Sequence, residues 1–238
     1  MLAELRRNGV DVRVSATAER VEVDEKRRVT GVCVNGRSIA TTAVVSNGNL
    51  LGTIFDLVDE TAWPPDFLEQ ARAVRLNNSS TQVYLGLRDG EEIDEATGDL
   101  LFSSVAPSFQ TDLLLSRDVT SRTYSFYYPK IRPEAKPRYL VVASSNAQYN
   151  DWASLAPEDY KAGKQRLIDD VVCDLDRYVP GIHEKLDWTE AATPCTFRRY
   201  TQHWQGASFG TKFEGLAVSR AMPEQIAGLY HAGSVGII

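Results

Sequence analysis

Hydrophobic residues in this chain follow a two-residue period first and a helical period later. Val10, Val12 and Val14 alternate with polar residues, as do Val21 and Val23. That is the spacing of a half-buried strand. Val29-Thr30-Gly31-Val32-Cys33-Val34 reads as the next strand, and Asn35-Gly36 predicts a two-residue hairpin because both positions tolerate positive φ. Arg37 to Val45 returns as a further strand. Residues 10–46 are therefore expected as an antiparallel meander of about four short strands, too small to bury a core alone.

After Ser46-Asn47-Gly48 the pattern changes. Leu50, Leu51, Ile54, Phe55 and Val58 predict a helix over 49–61, and residues 66–74 a second short one after Trp63-Pro64-Pro65. Val83, Leu85 and Leu87 share one face of a strand over 80–87, and the acidic stretch 89–99 reads as a solvated loop. Residues 113–115, 124–128 and 139–143 are further strand candidates, rich in aliphatic and aromatic side chains. The best helix runs over 157–179: Pro157, Glu158 and Asp159 suit its first turn. Tyr160, Leu167, Ile168, Val171, Leu175 and Tyr178 form its apolar stripe, and Pro180-Gly181 stops it. Asp169, Asp170, Asp174 and Asp176 fall largely on its other face and read as solvated. Trp188 to Phe197 predicts a last long strand, and 228–232 a short buried one. Antiparallel strands dominate, so the expected fold class is α+β.

Both ends read as cut from a longer chain. Leu2 and Leu5 share a helical face before an Asn8-Gly9 stop, about two turns, whereas isolated helices below about 12–15 residues are marginal. The strand at 228–232 leads directly into Gly-Ser-Val-Gly-Ile-Ile.

Composition narrows the function. With 43% apolar and 24% charged residues the 238-residue chain is globular, not disordered or fibrous. A net charge of −6 argues against a nucleic-acid partner, which needs a clustered basic surface. No run approaches the roughly 20 apolar residues of a membrane-spanning helix. The N-terminus lacks a signal-peptide core. Cys33, Cys173 and Cys195 include no CxxC pair and fit free thiols of a reducing compartment, so a cytoplasmic protein is expected.

Candidate chemistry is sparse. Gly206-Ala207-Ser208-Phe209-Gly210 matches the GxSxG nucleophile elbow, but no buried strand precedes it and only His231 follows. His183, His203 and His231 lack metal-ligand spacing, so no metal site is expected. Cys195 and His203 could meet in space, yet nothing positions an oxyanion hole beside them. Arg198-Arg199 with Tyr200 and Trp204 forms a cationic-aromatic cluster, either part of a pocket wall or simple packing of Arg on rings. Neither GxGxxG nor GxxxxGK[ST] occurs. From the residues alone the chain is an α+β protein with an aromatic-lined pocket.

Four blocks in order resemble a family. Residues 1–13, then the meander blocks Ala18–Asp24, Arg28–Val32 and Ala43–Asn47, are similar to the middle segment of the phytoene desaturase, carotenoid isomerase and retinol saturase group of FAD-dependent oxidoreductases. Thr193-Pro194-Cys195-Thr196-Phe197-Arg198-Arg199-Tyr200-Thr201 with Gly206, Phe209 and Gly210, then Gly228 to Ser234, look like the later part of the same family. The resemblance implies that 1–48 and 226–238 are incomplete pieces of a split FAD-binding domain, and that 49–225 is a substrate domain, an antiparallel sheet backed by helices. It implies that the backbone of Ala18 holds the adenine of FAD. Gly233 and Ser234 would approach the ribityl-pyrophosphate, and Gly236 and Ile237 would begin the turn toward the flavin. Many flavoproteins of this type carry an acid at the position of Ser234. Tyr200, Trp204 and Phe209 are the expected substrate walls.

The implied reaction exchanges hydrogen between flavin and a polyene such as a carotenoid or retinoid, an apolar substrate that brings peripheral membrane contact with it. Such chemistry needs positioning more than a side-chain acid or base. The chain alone is expected to be inactive and to bind FAD weakly or not at all. The alternatives are a non-catalytic lipid- or partner-binding module and an amine-oxidase-like flavoenzyme.

Overall fold

The structure is a computed structural model and describes residues 1–108, 110–131 and 138–236. In chain order it comprises helix α1 (Leu2–Arg7), strands β1 (Ala18–Val23), β2 (Val29–Val34), β3 (Arg37–Ala40) and β4 (Val44–Ser46), and helices α2 (Leu50–Phe55) and α3 (Pro65–Arg72). Then come β5 (Ser79–Leu87), β6 (Leu100–Ser104), α4 (Thr111–Leu114), β7 (Ser121–Tyr127), β8 (Leu140–Ala147), α5 (Asn150–Ala153) and α6 (Pro157–Asp176). The last elements are α7 (Ile182–Lys185), β9 (Leu186–Ala192), α8 (Pro194–Thr201), α9 (Glu214–Gln225) and β10 (Leu229–His231). The fold class is α+β.

Two compact units emerge, Met1–Arg75 with Gly210–Ile238 and Leu76–Phe209. Their boundaries lie inside those expected at 48/49 and 225/226. The cause is visible in the core: Leu50, Leu51 and Ile54 of α2, Phe67 and Leu68 of α3 and Val218 and Met222 of α9 are buried within the discontinuous unit.

In that unit β1, β2 and β3 form an antiparallel sheet. The hairpin is as read, with Val34 opposite Arg37 and with Asn35 and Gly36 at φ of 48° and 73°. Two expectations are corrected. Val10 to Val14 is not a strand: Val14 is 87% exposed, the Val10 amide closes back onto the Leu5 carbonyl at 3.0 Å, and among the described residues no strand pairs with the stretch. The stretch 37–45 is two strands, not one. β3 stays in the meander, whereas β4 pairs in parallel with β10, Val45 opposite Tyr230. The helix expected over 49–61 ends at Phe55, capped at its start by the Asn49 side chain, which accepts from the Gly52 amide at 2.7 Å.

The continuous unit is built on an antiparallel sheet of order β6-β7-β8-β5-β9. One face carries Val83, Leu85, Tyr124, Phe126, Val141 and Ala143 onto Leu167, Val171 and Leu175 of α6, the stripe read from the sequence. Three expectations change here. Residues 113–115 are not a strand: the Leu115 amide closes onto the Asp112 carbonyl, so the leucine run is one helical turn, α4. The strand expected over 188–197 ends at Ala192. Thr193 and Thr196 form a capping box, Pro194 takes the first helical position, and α8 follows. Asp174 is not solvated. It is 6% exposed, accepting from Tyr124 Oη at 2.7 Å and lying 3.5 Å from Arg122 Nη1. β6 emerges from the end of the acidic stretch read as a loop.

Candidate functional site

Two places in the fold could bind a ligand, one in each unit. In the discontinuous unit the parallel strands β4 and β10 present their carboxyl ends together, and such ends are where open α/β arrangements bind ligands. The loops that leave them are fastened to one another. The Ala232 amide donates to the Ser46 carbonyl at 2.8 Å, and Asn47 Nδ2 donates to the Ala232 carbonyl. His231 Nε2 donates to the Gly48 carbonyl at 3.0 Å, while its Nδ1 accepts from Ser219 Oγ at 2.9 Å. Burial pushes the ring's pKa down, only partly opposed by the Gly48 bond, and so favours the neutral form in which Nδ1 accepts.

Gly233 is crowded: a Cβ there would lie 2.9 Å from both the Gly48 carbonyl oxygen and His231 Nε2. A side chain there would displace one of these two groups. Ser234 has an exposed side chain, and its carbonyl accepts from the Thr211 amide at 3.4 Å. The Gly236 amide donates to the Thr211 carbonyl at 3.1 Å. Thr211 thus holds the loop 234–236 from one side. Ala18 is exposed at the start of β1 opposite Val34, beside the paired Thr17 and Asn35. Ile237 lies outside the described residues.

In the continuous unit a cavity of about 770 Å³ lies on the sheet between β5 and β6. That falls within the usual size of small-molecule sites. Phe209, one of the expected walls, lines it, together with Phe102 and Phe197, which the sequence reading missed. Tyr200 and Trp204 are not among its lining residues. Tyr200 is 77% exposed on α8 and stacks under the Arg199 guanidinium, and Arg198 packs over the Tyr149 ring, so the cationic-aromatic cluster is packing.

The other chemistry suggested by the letters does not assemble. Ser208 Oγ lies 2.9 Å from Ser80 Oγ, and His203 Nδ1 donates to the Ala207 carbonyl, so the GxSxG stretch has no base. Cys33, Cys173 and Cys195 are free, and burial pushes the Cys195 thiol up, away from thiolate. Among the described residues no His, Cys, Asp and Glu cluster could hold a metal ion, and no helix is long and apolar enough to cross a membrane. His231 was also missed, although a histidine closing an apolar strand just before Gly233 is the available signal.

No protein-family model matches the chain. Over 224 residues it is 23% identical to phytoene desaturase (lycopene-forming) of Paracoccus sp. (strain N81106 / MBIC 01143), covering 89% of this chain and 42% of that protein. The chain thus spans less than half the length of this relative. An oxidoreductase from Methanosarcina mazei superposes with a TM-score of 0.58 at 13% identity, over 99% of this chain and 47% of that one. Wild-type putrescine oxidase bound to putrescine does so with a TM-score of 0.57 at 12% identity, over 98% and 45%. The likeness to solved structures is one of fold. The chain resembles a phytoene desaturase along most of its length, as the sequence blocks imply.

Proposed function

We propose that this chain contributes to an FAD-dependent oxidoreductase that exchanges hydrogen with a polyene. The similarity to a phytoene desaturase over 89% of the chain carries this reading. The junction of β4 and β10 supports it. The lack of a Cβ lets Gly233 pack against Gly48 and His231 in the loop that leaves the carboxyl end of β10, where Gly233 and Ser234 would lie at the pyrophosphate and Gly236 would turn toward the ring. The backbone of Ala18 would lie at the adenine. When bound, FAD supplies an acceptor or donor of hydride. The residues of this chain bind and orient, Met1–Arg75 with Gly210–Ile238 holding cofactor and Leu76–Phe209 holding substrate.

The cavity lining discriminates between the two flavoenzyme readings. Among the described residues it includes neither Asp nor Glu, and the Arg122 guanidinium pairs with Asp174 on the α6 side of the sheet. A cationic amine would find no counter-charge there, so a neutral substrate is favoured.

The test is direct. Expressed with any coding sequence contiguous with it, the protein should purify yellow, with flavin absorbance that bleaches on anaerobic addition of a polyene donor and not of an amine. A colourless product indifferent to FAD overturns the reading. Bound lipid without any redox activity would favour a non-catalytic carrier.

A further inference from the structure

The wall of the cavity is chemically uneven in a way that names its ligand. Strand alternation puts Tyr124, Phe126 and Val141 on the α6 side of the sheet and their sequence neighbours on the other side. On that other side one rung runs straight across four strands. Gln82 of β5 stands opposite Ser144 of β8, Ser144 opposite Thr123 of β7, and Thr123 opposite Phe102 of β6. All four line the cavity. Three inter-strand spacings make the rung roughly 14 Å long. It offers the Gln82 amide nitrogen and two hydroxyls in a row, Gln82 Oε1 already accepting from Tyr84 Oη, and ends on an aromatic ring.

The next residues along β5 and β6 continue the pattern. Ser80 Oγ meets Ser208 Oγ at 2.9 Å, and Ser104 Oγ meets Ser121 Oγ at 2.9 Å. A pair of hydroxyls bonded to each other uses one of its two hydrogens, so each pair keeps a donor for something else. Phe209, next to Ser208, and Phe102 supply apolar surface at the two ends. A hydrocarbon lying on this wall would strip water from hydroxyl and amide groups and return no hydrogen bond. A molecule of the same shape with an oxygen function would satisfy them.

We propose that the cavity takes an oxygenated polyene, one carrying a hydroxyl or carbonyl group, in preference to a hydrocarbon. In naming this ligand as the substrate the proposal rests on the reading above, but the ligand preference itself is measured without flavin.

The probes are all-trans retinol and axerophthene, the hydrocarbon with the same polyene, titrated into the full chain by fluorescence. Retinol should bind about tenfold more tightly, about 1.4 kcal/mol. In the variant Gln82→Leu with Thr123→Val and Ser144→Ala that ratio should fall to near one. Phe102→Ala should weaken both probes and keep the ratio. Circular dichroism checks that each variant is folded. Equal or reversed preference in the native chain overturns the proposal, as does absence of binding. A ratio unmoved by the triple variant, or Thr123→Val alone where the triple variant unfolds, overturns it as well. A colourless protein that prefers retinol sinks only the flavin reading, whereas a yellow protein without preference sinks only this one.

Discussion

The Tyr124 hydroxyl donates to Asp174 Oδ2 at 2.7 Å inside the core of the continuous unit, joining β7 to α6. Burial first, and then the Asp174 bond, push the Tyr124 phenol far above its ordinary range, so it stays protonated and donating. Arg122 Nη1 and Arg177 Nη1 lie 3.5 and 3.2 Å from the same carboxylate. A buried carboxylate tolerates its site only while these partners remain.

Removing the partners one at a time should therefore rank them. Tyr124→Phe loses one hydrogen bond and should cost about 1 kcal/mol. Asp174→Ala strands buried Arg122, whose Nε already lacks a partner among the described residues, and should cost about 3 kcal/mol or more. Urea denaturation measures both. Equal costs would mean that the charge pair adds nothing to the hydroxyl bond.

His231 and His183 should titrate on opposite sides of the ordinary value of about 6.5. Burial lowers His231, whereas the Asp176 carboxylate, 2.9 Å from its Nδ1, raises His183. As pH falls through about 6.5 the unfolded chain protonates His231 before the folded chain does, so stability from this residue is lost on acidification. For His183 the sign reverses: its contribution is present below about 6.5 and is lost as pH rises through its raised folded value. NMR titration of the ring protons, with His231→Gln and His183→Gln for assignment, reads both midpoints. Two coincident midpoints would contradict this account.

Two glycines with left-handed backbone should respond very differently to alanine. Gly9, φ 76°, has open space where a Cβ would stand, and Gly9→Ala should cost only the backbone strain of about 1–2 kcal/mol. Gly210, φ 66°, would place its Cβ 1.7 Å from the Ser234 carbonyl oxygen. Gly210→Ala should cost about 3 kcal/mol or more by prising the loop 234–236 away from Thr211. Thermal melts of the two variants decide it.

Thr193 is fully buried at the start of α8, where its hydroxyl meets Tyr160 Oη at 2.7 Å and caps the helix. Thr193→Ala should cost about 2 kcal/mol, and Thr193→Ser should restore most of it. If serine fails to rescue, the methyl group and not the hydroxyl carries the stability.

These residues also mark what the sequence could reveal. Periodicity located β5, β7, β8 and α6, because one face of each is buried against the same core and the apolar stripe is complete. Asn35-Gly36 was legible because backbone sterics alone dictate it. Asp174 was not, because helical spacing places a residue on a face but says nothing of a buried tyrosine and arginine waiting across it. The parallel pairing of β4 with β10 was equally hidden: the local pattern of Arg37 to Val45 continues a meander, and only a distant strand breaks it. In the cavity wall, Phe209 entered only through the family resemblance, whereas Phe102 sits on β6, a five-residue Leu-Leu-Phe-Ser-Ser strand without the alternation that marks β5, β7 and β8.

The pairing of β4 with β10 also sets an order of folding. Asn47 and Ala232, which bond across it, are separated by 185 residues. On the ribosome β4 must wait, unpaired at its edge, until β10 has been made, while Leu76–Phe209 is complete earlier, its strand pairs closing over shorter separations. Closing that separation is entropically cheapest once the intervening residues are already compact. The continuous unit should thus act as the clasp that brings the two halves of the other within reach, and destabilising Asp174 should slow formation of a junction in which Asp174 takes no part.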